Sequence, residues 1–123
     1  MKSLREHLNE SLLVESELNM KPKTNKELKD LVDKLIKERG NYTDLNDIDT
    51  SLITDMSNLF KMSKFNGDIS NWDVSNVENM SGMFYGSQFR GDISNWDVSK
   101  VKNMKDMFIK SPLEGNEPEW YKG

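Results

Sequence analysis

The sequence predicts an α+β repeat: a short right-handed solenoid of about three 24-residue units, with a helical cap at its N-terminal end. Three observations carry that prediction. The block GDISNWDVS stands unchanged at residues 67–75 and 91–99, an offset of 24 residues. The same offset relates Ile53, Val77 and Val101, then Met56, Met80 and Met104, then Phe60, Phe84 and Phe108. It also relates Trp72, Trp96 and Trp120, with Ile48 one period before Trp72. Finally, an amphipathic segment with no apolar partner of its own directly precedes the repeats, where a stacked array needs its first core layer shielded.

Residues 1–15 are expected to form a short amphipathic helix, a possible targeting leader. Leu4, Leu8 and Leu12 recur at i, i+4 and i+8, and Ser3 with Glu6 can cap its start. Residues 16–24 are polar, contain Pro22 and are expected to be a linker. Residues 25–40 are the expected capping helix. Thr24 and Glu27 form a capping box, and Leu28, Leu31, Val32, Leu35 and Ile36 line one face. Gly40 supplies the stop.

Residues 41–123 hold the repeats. DLNDIDTS at 44–51 aligns one period before DISNWDVS at 68–75, and Leu113, Gly115 and Trp120 keep their slots at the far end. Within one unit, Ile69, Trp72 and Val74 have the L-x-x-L-x-L spacing of a leucine-rich-repeat strand. Val77, Met80, Met83 and Phe84 then shift to spacings of three and four, which predicts one helical or 3₁₀ turn. The aromatic and methionine columns are the expected core, since each must fill the space between neighbouring copies.

Composition narrows the function. There is no cysteine and one histidine, His7, so thiolate metal sites, Cys–His pairs and histidine clusters are excluded. No serine stands in a recognisable nucleophile motif. The expectation is therefore a non-enzymatic protein with no cofactor and no catalytic residues. Asp49, Asp73 and Asp97 fall in one column, but they lack the second ligands of a calcium loop, so no metal is expected. Residues 1–40 carry nine Lys and Arg against eight Asp and Glu, whereas residues 41–123 carry eight against thirteen. An acidic repeat region argues against nucleic acid, whose phosphates are held by clustered cations. No apolar run is long enough to span a membrane. The chain reads as cytoplasmic or virion-associated, with no signal peptide or lipid anchor, and its oligomeric state stays open.

A partner surface is expected where the copies differ. Lys61 becomes Tyr85, Lys64 becomes Gln88 and Asn66 becomes Arg90, whereas Asn71, Asp73 and Ser75 recur unchanged. Lys61, Lys64, Asn66, Tyr85, Gln88 and Arg90 are the candidate contacts with a protein partner, Tyr and Arg being enriched at binding hot spots.

FNGDISNWDVSNVENMSGMF and FRGDISNWDVSKVKNMKDMF resemble the repeats of the BspA-like leucine-rich-repeat surface proteins of mycoplasmas and many gut bacteria, over about residues 42–120. That resemblance implies non-enzymatic repeats used in adhesion or protein recognition. The N-terminus, MKSLREHLNESLLVES, resembles the capsid-targeting peptides of internal head proteins in T-even-type phages. It implies a protease site after Glu10, before Ser11, or after Glu15, before Ser16. Three functions follow as expectations: a protein-interaction module, possibly phage-encoded; a phage structural or internal head protein with a cleavable leader; or a fragment of a bacterial surface adhesin.

Overall fold

The computed structural model describes residues 20–123, so the expected leader helix and the cleavage candidates Glu10, Ser11, Glu15 and Ser16 lie outside the described residues. Among the described residues one helix, α1, spans Asn25–Arg39. The Thr24 hydroxyl accepts from the Glu27 N–H at 3.1 Å, and Gly40, at φ 94°, returns its own N–H to Ile36 O at 2.7 Å. Leu28, Leu31, Val32 and Leu35 turn inward and join the single hydrophobic cluster built by the repeats. On the solvent side, Lys26–Asp30, Lys29–Asp33 and Lys34–Glu38 pair one turn apart.

The expected α+β repeat solenoid does not form. Among the described residues there is no strand, only three isolated parallel bridges at Asp44–Asp68, Asp55–Asn79 and Asn79–Asn103. Nor does a helix or 3₁₀ turn follow each of them, and the remainder of the chain is turns and loops. Local chemistry explains both absences. At 68–75 the carboxylates of Asp68 and Asp73 accept the N–H groups of Ser70 and Ser75, and Ile69 O accepts from Trp72 N. These short-range bonds consume the donors that a continuous ladder needs. At 77–86 the spacing is helical, but Gly82 and Gly86 take φ of 62° and 64°. A left-handed residue every fourth position cannot sit in an α-helix. Asn58 and Met62 in the copy before, and Asp106 and Lys110 in the copy after, repeat the conformation without glycine.

The resulting arrangement divides the backbone donors evenly. The N–H groups of Met56, Asn58, Phe60 and Met62 donate to the carbonyls of Asn79, Ser81, Met83 and Tyr85 in the next copy, at 2.8–2.9 Å. Those of Met80, Gly82, Phe84 and Gly86 do the same toward Asn103, Lys105, Met107 and Ile109. Between them, Leu59, Lys61 and Ser63 donate locally to Met56, Asn58 and Phe60. Every second donor therefore crosses to the neighbouring copy and every other one closes a turn.

Side chains pack at the same register. Phe60, Phe84 and Phe108 stack nearly parallel with 5.6 Å between successive centroids, and Phe65 stacks on Phe89 at 6.1 Å. The buried Trp72 and Trp96 place their indole N–H groups on Leu45 O and Ile69 O, and the partly buried Trp120 continues the series to Ile93 O.

At 56–62 and 80–86 the crossing bonds run from each copy to the carbonyls of the next, so the matching carbonyls of the first copy have no donor from a preceding one. Asn25, at the start of α1, supplies one: its Nδ2 donates to Asp55 O and Ser57 O, both at 3.2 Å. Arg39 at the other end of α1 forks onto both carboxylate oxygens of Asp47. Met20 packs against the core, and its carbonyl accepts from Asp49 N at 2.6 Å.

Candidate protein-interaction surface

The residues that differ between copies flank buried anchors. Phe65 and Phe89 point into the core, so Lys64 and Asn66, and likewise Gln88 and Arg90, are turned away from it on either side. The Ser63 hydroxyl accepts Phe65 N at 3.0 Å and the Ser87 hydroxyl accepts Phe89 N at 3.2 Å, holding each anchor's turn. Bonds between copies then set the spacing of the flanking residues. Asn66 N donates to Asn41 O at 2.7 Å, Gln88 N to Ser63 O at 2.9 Å, and Arg90 N to Asn66 Oδ1 at 3.0 Å.

The six candidate contacts divide between two shallow grooves. Lys64, Asn66, Gln88 and Arg90 line one of ≈ 560 Å³ together with Asn41 and Tyr42. Lys61 and Tyr85 line a second of ≈ 470 Å³, whose walls include Asn58, Lys105 and Asp106. The Tyr85 ring is held between cations from the copies on either side, with Lys61 Nζ 5.5 Å and Lys110 Nζ 5.9 Å from its centroid.

Several contributors, Asn41, Tyr42, Asn58, Lys105, Asp106 and Lys110 among them, were not expected from the sequence. Asn41 and Tyr42 were missed because the repeat was aligned from Asp44 onward, although Tyr42, Asn66 and Arg90 share one 24-residue slot. Lys110 occupies the slot of Met62 and Gly86, one column away from Tyr85, so slot comparison alone does not pair it with that ring.

Charge is unevenly placed on the surface. The described ion pairs use Lys21, Lys26, Lys29, Lys34, Arg39 and Lys102, but none of Lys61, Lys64, Arg90, Lys105 or Lys110. Four carboxylates are bonded to serines of their own turns. Asp68, Asp92 and Asp97 are held below the ordinary carboxylate value by the hydroxyls of Ser70, Ser94 and Ser99, and then by the N–H groups of the same serines. Asp49 is lowered in the same way by Ser51. Among the described residues no three His, Cys, Asp or Glu side chains come together as a metal site would require.

Residues 26–120 match the family described as "Mycoplasma protein of unknown function, DUF285". The chain belongs to the DUF285 family. The DUF285 match begins inside α1 and ends at Trp120, so it takes in the inward face of the helix together with the aromatic columns. No curated protein and no solved structure matches the chain. No helix among the described residues is long and apolar enough to cross a membrane.

Proposed function

We propose that this DUF285 protein is a non-enzymatic protein-recognition module whose contact surface is the face on which its copies differ. One observation carries the reading. The repeated Trp72, Phe84 and Asp92 are buried or bonded within their own turn, whereas in the two grooves Lys61 gives way to Tyr85, Lys64 to Gln88 and Asn66 to Arg90. A packing constraint accounts for the first set and leaves the second free to serve a ligand. The resemblance of residues 42–120 to BspA-like surface proteins, whose repeats serve adhesion or protein recognition, supports the same reading.

Affinity purification from the host, followed by mass spectrometry, identifies the partner. The doubly substituted Tyr85→Ala, Arg90→Ala protein is expected to lose it, while Asp73→Ser with Asp97→Ser retains it, because Ser can still close those turns. The opposite result assigns the partner to the invariant face and refutes the proposal.

A second reading rests on the sequence Leu13-Val14-Glu15 before Ser16, and Leu8-Asn9-Glu10 before Ser11. On it, the chain is an internal head protein packaged by a cleavable leader. Intact-mass analysis of phage particles should then find the chain beginning at Ser11 or Ser16. A particle-borne chain that retains Met1 removes this reading.

A further inference from the structure

We infer that the groove lined by Asn41, Tyr42, Lys64, Asn66, Gln88 and Arg90 takes an acidic peptide segment, an extended stretch carrying more than one Asp or Glu. The inference rests on the protein-recognition reading and adds the chemistry of the partner.

Charge is the first argument. The chain carries a formal net charge of −4, yet this groove has two cations and no carboxylate in its walls. Neither Lys64 nor Arg90 has an ion-pair partner among the described residues, so both are available to an incoming carboxylate. Arg90 can fork onto both oxygens of a carboxylate, and Lys64 supplies a point charge.

Spacing is the second. Lys64 directly precedes Phe65 and Arg90 directly follows Phe89, and these two rings stack 6.1 Å apart. The two cations therefore stand on opposite sides of the stacked anchors, and a peptide meets both only by carrying more than one carboxylate.

The amides are the third. Asn66 spends its Oδ1 on Arg90 N, which leaves its Nδ2 to donate outward. With Asn41 and Gln88 it provides mixed donors and acceptors, the complement of a peptide backbone. A nucleic acid is served less well. Two cations release few counterions, and the Tyr85 ring in the neighbouring groove already carries Lys61 and Lys110, so no base stacks there.

The test is fluorescence anisotropy on the full chain with a labelled peptide of alternating Glu and Ser. A Gln–Ser peptide and a labelled oligothymidylate of the same length serve as comparators. The Glu–Ser peptide should bind, weaken as salt rises, and lose at least about tenfold in affinity on Lys64→Glu with Arg90→Glu. The milder Lys64→Ala, Arg90→Ala pair should weaken it in the same direction, and Lys100→Glu with Lys102→Glu should leave it unchanged. Both groove variants replace exposed side chains, and circular dichroism melts check that they fold. Equal binding of the Gln–Ser peptide, tighter binding of the oligothymidylate, indifference to both groove variants, or no binding at millimolar peptide each overturns the inference. If host partner capture depends on Tyr85 and Arg90 while none of the peptides bind, the acidic-peptide inference falls and the recognition reading stands.

Discussion

The indole N–H of Trp72 donates to the carbonyl oxygen of Leu45 at 2.8 Å, across 27 residues of chain. Trp96 repeats the bond to Ile69, and Trp120 repeats it to Ile93. The tryptophan thus does two jobs in each copy. It fills the space beside a phenylalanine (Phe60 lies 5.9 Å from Trp72, centroid to centroid) and it satisfies a carbonyl of the copy before.

Trp72→Ala should therefore cost about 3–5 kcal/mol, the range for truncating a buried tryptophan. Trp72→Phe keeps part of the volume but not the donor. Leu45 O still accepts from Ile48 N, so the lost bond itself is worth about 1 kcal/mol. Urea denaturation should rank the three proteins wild type, Trp72→Phe, Trp72→Ala. A Trp72→Ala midpoint equal to wild type would place this side chain at the surface.

Asn25 separates two explanations of how α1 meets the repeats. If only the helix terminus mattered, Asn25→Asp would stabilise by about 0.3–1 kcal/mol, because acids favour that end of a helix. The bonds from Nδ2 to Asp55 O and Ser57 O predict the reverse. An aspartate cannot donate, and it sets a negative charge against two carbonyls. Asn25→Asp should be less stable than Asn25→Ala, which loses about 1–2 kcal/mol. Thermal melts of the two variants decide between the explanations, and a melting point for Asn25→Asp above wild type would eliminate the bridging role.

Acid should weaken the fold through its serine-bonded carboxylates. Asp68, Asp92 and Asp97 lie below their ordinary value of 3.8 in the folded chain. Their stabilising contribution is thus complete above the unfolded value and is lost as pH falls through the lower, folded one. Asparagine offers the same acceptor without the titration. Asn79 and Asn103 already accept from Ser81 N and Lys105 N in the slot where Asp55 accepts from Ser57 N. A protein with Asp68→Asn, Asp92→Asn and Asp97→Asn should keep most of its neutral-pH stability and lose less of it at pH about 3. Urea midpoints at the two pH values measure this. An acid loss as large as that of wild type would assign the sensitivity to other groups.

The period of 24 was legible because tryptophan and phenylalanine cannot move off their slots without opening the core. The secondary structure was not legible, because two different geometries share the same apolar spacing. Trp72 and Val74 stand two apart, as in a strand, but Asp73 between them accepts from Ser75 N and closes a turn. Met80, Met83 and Phe84 have helical spacing, yet Gly82 lies in the left-handed region between them. The surface was partly legible. Comparing copies picked out Lys64, Asn66, Gln88 and Arg90, which one groove unites, and also Lys61 and Tyr85, which a second groove separates from them. Asn25 leaves no trace in local pattern, since its acceptors lie 30 and 32 residues further on.

The stacking of the copies depends on one arrangement, in which alternate backbone N–H groups at 56–62 and 80–86 are bonded to the next copy. Amide hydrogen exchange reads it residue by residue. The slot shared by Asn58, Gly82 and Asp106 is the sharpest place to look. Asn58 N and Gly82 N donate to Ser81 O and Lys105 O, whereas the N–H of Asp106, in the last full copy, has no acceptor among the described residues. The amides of Asn58 and Gly82 should exchange slowly and that of Asp106 fast, although all three share nearly the same φ. Fast exchange at Gly82, or protection at Asp106 equal to that at Gly82, would contradict the arrangement.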